Sequence, residues 1–324
     1  MKKAICIILT VIMICSVCVF AAACNDKKSE ITTINVVVPD GAPALAVAKM
    51  LSAGKFEGYD VKYEIVDGTD IATKLSAQPT LADLAILPTN MGAKLYNSGI
   101  GIKMVATNVY GLLYLVGTEE ATSVSALKGQ KILCTGQGGT PDFVLQYVLK
   151  MNAITTEDVG IEYIAKGSDA IAKLKSGAAK FALLGEPAAT MAVSKAGAKV
   201  LFDMQSEWEK STGTYGYPQA CTVVTNDLFS KHSAFVKAFL KEMNANLTWI
   251  NENVDATNAA IKANGGSANF ASAEVISRCN VKYVGATEAK ADVEKYLEIM
   301  ATFNNKFIGG KLPDAGFYAG VSLD

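Results

Sequence analysis

Four short turns hold most of the residues of this 324-residue chain that could meet a ligand: Asp40-Gly41-Ala42-Pro43, Pro88-Thr89-Asn90, Thr135 to Pro141 and Gly185-Glu186-Pro187. Each follows a strand-like run and precedes a helix-like one. A helix start carries unpaired N–H groups and about half a positive charge, so it holds an anion or polar acceptor without a basic side chain. The candidate ligand-binding residues are therefore Asp40, Gly41, Ala42, Pro43 and Ala44; Thr89 and Asn90; Gly136, Gln137, Gly138, Gly139 and Thr140; and Glu186 and Pro187. Asp40 and Glu186 serve either as helix-start caps or as acceptors for a cationic or amino group. Tyr110, Tyr215 and Tyr217 stand at the segments joining the two halves of the chain, where a ring either stacks on a planar ligand or packs a hinge. Tyr110 and Tyr217 join the candidates.

Other chemistry is poorly supplied. His232 is the one histidine and Arg278 the one arginine, although the chain has 30 Lys+Arg and 31 Asp+Glu. A single imidazole at the head of a helix, after Ser230 and Lys231, is expected to be exposed and leaves acid–base and metal chemistry without its usual group. A single guanidinium leaves bidentate clamps on an oxyanion nearly unavailable. A formal net charge of −1 gives no basic excess for neutralising phosphates. The run from Thr135 to Thr140 lacks the Lys-Ser/Thr end of a nucleotide phosphate loop and the third glycine of the dinucleotide version. The sequence thus predicts no catalytic residue, no metal, no cofactor and no nucleic-acid partner.

The elements that must position these turns alternate. Strand-like runs at Ile34 to Pro39, Tyr59 to Val66, Ala82 to Leu87 and Ile102 to Thr107 are interleaved with helical runs from Ala44, Thr69 and Thr89, the first stopping at Gly54. The plan then repeats: strands at Lys131 to Thr135, Ile161 to Ala165, Phe181 to Leu184 and Val200 to Phe202, with helices at Asp142 to Met151, Ser168 to Ser176 and Pro187 to Ala196. Alternation of this kind predicts two α/β layered, Rossmann-like lobes with largely parallel sheets. Asn108 to Gly117 and Tyr215 to Thr225 are the candidate crossings of a two-strand hinge. From Leu228 the tail is helical: Phe235, Val236, Phe239, Leu240, Met243, Leu247 and Ile250 recur at helical spacing, and a tail without strands of its own is expected to pack back on the first lobe. The predicted organisation is residues 33–110 plus 219–324 for lobe I and 111–218 for lobe II.

Met1, Lys2 and Lys3, an uncharged apolar run over residues 4–20, and small residues before Cys24 read as a secretory signal over residues 1–23. Ala21 to Cys24 resembles the lipobox of bacterial lipoproteins, with Ala21 where Leu is usual, which implies a lipid on Cys24. Residues 24–32 fit a flexible, lipid-anchored tether. Cys134, Cys221 and Cys279 are widely spaced among apolar neighbours and read as buried thiols; a disulfide between two of them is the other reading outside the cell.

Ala82 to Asn90, Gly136 to Leu145 and Leu183 to Pro187 carry a resemblance, over roughly residues 33–260, to solute-binding lipoproteins of ABC importers, in the branch of nitrate, sulfonate, taurine and thiamine-precursor receptors. The resemblance implies a type II periplasmic-binding-protein architecture that closes on a small polar or organic molecule of the sulfonate, nitrate or pyrimidine-like class. Its implied partners are an ABC permease with its ATPase, and its implied place is the outer face of the bacterial cytoplasmic membrane. A monomer is expected. The turns at residues 41–44, 89–90, 136–141 and 186–187 would line the cleft. An enzyme of menaquinone or thiamine-precursor metabolism on the same fold, or a surface sensory receptor without transport, are the alternatives.

Overall fold

The computed structural model describes residues 33–51, 53, 55–56, 58–267 and 271–324. The predicted signal, Cys24, the tether and Gly54 lie outside the described residues. Residues from Thr33 to Asp324 form one compact unit.

The first half builds β1 (Thr33–Pro39), the short helices α1 (Ala42–Leu45) and α2 (Ala48–Leu51), β2 (Lys55–Phe56), β3 (Tyr59–Val66), α3 (Asp70–Ser76), β4 (Leu84–Pro88), α4 (Thr89–Asn97) and β5 (Ile102–Tyr110). The chain then enters a second sheet with β6 (Leu113–Gly117), β7 (Lys131–Thr135), α5 (Thr140–Met151), β8 (Gly160–Ile164), α6 (Gly167–Lys175), β9 (Phe181–Gly185), α7 (Ala188–Ala196), β10 (Lys199–Asp203) and α8 (Met204–Thr212). It returns through β11 (Pro218–Thr225). The tail comprises α9 (Asn226–Lys231), α10 (Ser233–Glu252), α11 (Val254–Ala263), α12 (Ala273–Arg278), β12 (Val281–Gly285) and α13 (Ala286–Phe303).

The sheets have the orders β12-β5-β11-β4-β1-β3-β2 and β10-β6-β9-β7-β8. Laid side by side, β3-β1-β4-β11-β5 matches β8-β7-β9-β6-β10, so the repeated plan in the sequence is a repeated topology. The expectation of largely parallel sheets needs correction. Among the named strands, parallel pairing is confined to β1 with β3 and β4, and to β7 with β8 and β9. In each sheet a strand arriving from the other half is inserted between the third and fourth βα strands and runs against both: β11 lies between β4 and β5, and β6 between β9 and β10. The local βα units keep one direction, and the inserted strand alone converts their pairings to antiparallel. The two lobes are therefore cross-stitched at the centre of each sheet.

The helices bury the stripes their spacing predicts. On α10, Phe235, Val236, Phe239, Leu240, Met243 and Ile250 are buried, whereas Leu247 is exposed. The tail departs from expectation twice. It supplies a strand, β12, which pairs antiparallel with β5 at the sheet edge. Its last helix, α13, also packs on both lobes: Val293, Leu297 and Met300 join the core around β5 and β11, while Tyr296 meets Phe143 of α5 and Trp208 of α8, with ring centroids 5.8 Å apart in each case. Rings of this size contribute about 1.5–3 kcal/mol each when buried.

One buried polar residue explains a local irregularity. Helix α1 stops after Leu45 and α2 resumes at Ala48 because the amide of Asn246, on α10, occupies the gap. Its Nδ2 donates to the Leu45 carbonyl at 2.6 Å and its Oδ1 accepts from the Lys49 N–H at 2.9 Å, replacing the helical bond those groups would make with each other.

Candidate functional site

The helix starts after β1, β4, β7 and β9 face one cavity of about 940 Å3 between the two sheets. The strand directions dictate this: the carboxyl ends of the βα strands in both halves point inward, where ligand crevices form in open α/β sheets. Of the predicted residues, Asp40, Gly41, Ala42, Pro43, Asn90, Gly136, Gln137, Gly138, Gly139, Thr140, Glu186 and Pro187 line the cavity.

Four others do not. Ala44 is fully buried behind the first turn, and Thr89 is fully buried within its helix. Tyr110 is buried with its hydroxyl 3.0 Å from Thr107 Oγ1, and Tyr217 is buried against Trp208 and Tyr296. These two rings pack the crossings rather than the cavity, because each crossing runs through the joint core of the two lobes. Tyr215 is exposed, with the Lys282 ammonium 4.2 Å from its ring centroid. His232, expected to be exposed, is half-buried, with Nδ1 3.2 Å from the Tyr59 hydroxyl, and is not a lining residue.

The glycine-rich turn is held from behind. Gly136 and Gly138 both have φ of +71°, a left-handed backbone that a side chain disfavours. Gly139 donates its N–H to the Gly136 carbonyl at 2.8 Å, and Gly138 donates to Asp142 Oδ2 at 2.9 Å. Asp142, buried, also accepts from Gln146 Nε2 at 2.6 Å and Tyr163 Oη at 2.7 Å. Thr140, the first residue of α5, has its Oγ1 3.0 Å from Tyr296 Oη. The turn is thus anchored by its own helix, by β8 and by the tail.

The three carboxylates on the cavity wall are already engaged. Asp40 accepts from the N–H groups of Gly41 and Ser267, each at 2.9 Å, and from the Ser267 hydroxyl. Asp67 accepts from Thr69, and the Thr69 N–H and hydroxyl hold its carboxyl below the usual range, with Lys166 adding a smaller pull. Glu186 accepts from the Thr190 N–H at 3.1 Å and its hydroxyl at 2.9 Å, with Arg278 Nη1 3.7 Å away. Burial pushes the Glu186 carboxyl up, and these partners only partly offset that. Lys94 and Lys306 also line the cavity, and neither ammonium group has an ion pair or hydrogen bond to a described residue. Neutral donors leave the carboxylate charges in place, so the wall carries both signs: three carboxylates, each turned onto its own donors, beside two ammonium groups. Met91, Leu95, Val109, Leu112 and Phe307 supply an apolar wall.

Sequence reasoning missed Lys94, Met91 and Leu95, although Asn90 with Lys94 and Met91 with Leu95 are i, i+4 pairs sharing one face of α4. Lys306 and Phe307 had no local signal. They sit in a 3-10 turn, Asn305–Ile308, which the packing of α13 carries to the cleft, where the Phe307 carbonyl accepts from Asn90 Nδ2 at 3.3 Å.

Reactive groups lie elsewhere. Cys134, Cys221 and Cys279 are buried free thiols, and desolvation pushes the first two up to about 12 and the third higher still. Among the described residues no group of three or more His, Cys, Asp or Glu could hold a metal ion, and no helix is long and apolar enough to cross a membrane.

Two cross-stitched α/β sheets enclosing a cleft define the class of two-lobed, periplasmic-binding-protein-like folds. The chain belongs to the NMT1-like family, whose sequence profile matches residues 29–264. It is similar to a crystallised ABC transporter protein from Parabacteroides distasonis, with 27% identity and a TM-score of 0.77, over 89% of this chain and 99% of that one. The periplasmic aliphatic sulphonate binding protein of Escherichia coli shares the fold at 15% identity and a TM-score of 0.69, over 90% and 94% of the two chains. A DszB mutant in complex with biphenyl-2-sulfinic acid also shares the fold, at 15% identity and a TM-score of 0.62, over 90% and 97% of the two chains. A search of curated proteins returns no match.

Proposed function

We propose that this protein is an extracytoplasmic solute-binding lipoprotein of an ABC importer, which captures a small organic molecule between its lobes and delivers it to a permease driven by an ATPase. The observation that carries this reading is the convergence of four turns, two from each lobe, on one cavity. The likeness to an ABC transporter protein along nearly its whole length supports it. Residues 33–110 with 219–324 and residues 111–218 act as the two lobes, and ligand shifts the population toward a closed form. Lipid on Cys24 holds the protein at the outer face of the membrane.

The cavity's chemistry narrows the ligand. The Lys94 and Lys306 ammonium groups, with the N–H groups of the helix starts, offer docking points for an anionic or strongly polar head, and the Met91, Leu95 and Phe307 wall favours an apolar body. An ion as small as nitrate would leave most of a space near the upper end of the roughly 300–1,000 Å3 of ligand pockets unfilled. An organic sulfonate or carboxylate, or a pyrimidine with an acidic substituent, fits better. The inert cysteines and the remote His232 favour binding over turnover.

A thermal-shift screen of organic sulfonates, carboxylates, pyrimidines and amino acids tests the reading. A true ligand at 100 times its dissociation constant adds about 2.7 kcal/mol of stability. Turnover of a compound without any stabilising ligand would favour the same-fold enzyme instead. Membrane retention of Cys24→Ala, with normal leader cleavage, would remove the lipid anchor from the proposal.

A further inference from the structure

The chain's one arginine is spent on the boundary between the lobes. Arg278 ends α12, which belongs to the seven-stranded side, and its guanidinium reaches the start of α7 on the other. Nη1 donates to Thr190 Oγ1 at 3.2 Å, lies 3.0 Å from Glu274 Oε1 on its own helix, and lies 3.7 Å from Glu186 Oε1. The guanidinium carbon is 5.9 Å from the ring centroid of Tyr114 on β6, and the Tyr114 hydroxyl donates to the Arg278 carbonyl at 2.9 Å. The Thr190 hydroxyl in turn donates to Glu186, so Arg278, Thr190 and Glu186 form a chain of charge-assisted hydrogen bonds, each polarising the next.

The residues that follow continue the seam. Asn280 has φ of +46°, a conformation few non-glycine residues adopt, and it is held there from both sides. Its carbonyl accepts from the Tyr110 N–H at 3.0 Å, and its side-chain Nδ2 donates to the Gly111 carbonyl, in the first crossing. The Arg278–Asn280 turn therefore grips the hinge strand and the cleft-side end of α7 together. The Glu186 side chain is fully buried from solvent and lines the cavity, so what positions it also shapes one wall of the cleft.

We propose that Arg278 is a positioning residue of the cleft: from α12 it holds the Glu186 carboxylate and the first turn of α7 across the lobe boundary, and so sets the aperture between the lobes. The inference rests on the cleft being the capture site. Lysine would substitute only in part: one nitrogen, Nη1, makes all three polar contacts, but an ammonium lacks the planar face that the guanidinium lays over the Tyr114 ring.

The test needs no ligand. Spin labels on cysteines introduced as Lys62→Cys and Lys175→Cys, both exposed and on opposite lobes, report the interlobe distance in the intact protein. Arg278→Gln is expected to lengthen and broaden that distance by about 2 Å or more, and to speed exchange of the position-190 amide about tenfold, as for loss of one charged hydrogen bond. Arg278→Lys is expected to recover part of both effects. Should Arg278→Gln not fold, Thr190→Val breaks the same chain without removing a charge and is expected to loosen the same amide and widen the same distance. Unchanged distance and exchange in Arg278→Gln overturn the proposal, as do Arg278→Lys and Arg278→Gln losing global stability equally without any change in distance. A failed ligand screen would count against solute capture and leave these readouts intact.

Discussion

The two lobes share a strand order, yet the helices after their first strands are built differently. After β7, α5 runs unbroken from Thr140 to Met151, and Asp142 in its own first turn fixes the glycine loop ahead of it. After β1, the equivalent helix is split into α1 and α2, and a residue some two hundred positions later, Asn246, closes the gap. The same division holds at the cavity. Lobe II contributes a turn made from neighbouring residues, whereas lobe I needs Ser267, Lys306 and Phe307 from the tail. Duplicated topology therefore does not mean duplicated construction: one wall of the cleft is lined by local residues that the tail only braces from behind, through Tyr296 and Arg278, and the other takes part of its lining from distant chain.

Three measurements would break or sharpen that contrast. Asp142→Ala strands three donors around a buried site, so a loss of about 3 kcal/mol is expected in urea unfolding, together with faster amide exchange at Gly138. If that exchange is unchanged, the glycine loop is not held by its own helix. Asn246→Ala uncouples the tail from α1 and α2 and is expected to cost about 2 kcal/mol, from two buried backbone groups losing their partners. An unmoved urea midpoint would mean lobe I does not depend on the tail. The smallest effect concerns Glu186. Its carboxyl is raised by burial in the folded state, so this group's favourable contribution is fully present below its ordinary value of 4.5 and is lost as pH rises through the raised value. Relative to Glu186→Gln, the wild-type protein is therefore expected to lose stability on going from acid to neutral pH; a flat difference between their melting curves would show the pairing with Thr190 and Arg278 to offset desolvation fully.

Much of this architecture was legible in the sequence, and the exceptions have physical causes. Runs such as Ile34 to Pro39 and Phe181 to Leu184 are short and apolar because central strands are covered on both faces, so the alternation of strand and helix could be read directly. Strand direction could not, because the partners of β6 and β11 come from the opposite half of the chain. β12 is five residues between two helical stretches, and α8 is a polar segment whose apolar contacts, Met204 and Trp208, are too few to mark a stripe. At the cleft, glycine and proline mark the turns, since only special backbone geometry requires them. Tyr110 and Tyr217 were ambiguous because a tyrosine at a crossing suits either a ligand or a core, and only Thr107 at the Tyr110 hydroxyl and the packing of Trp208 and Tyr296 on Tyr217 decide between them.

The aromatic cluster on α13 has a thermodynamic consequence. Phe143, Tyr147 and Trp208 from one lobe and Tyr296 and Phe303 from the tail form a continuous set of ring contacts, so neither lobe can melt without exposing apolar surface that belongs to both. Two lobes with separate cores would unfold in two calorimetric steps. Here the shared rings join them into one cooperative unit, and a single heat-absorption peak whose van't Hoff and calorimetric enthalpies agree is the expected signature.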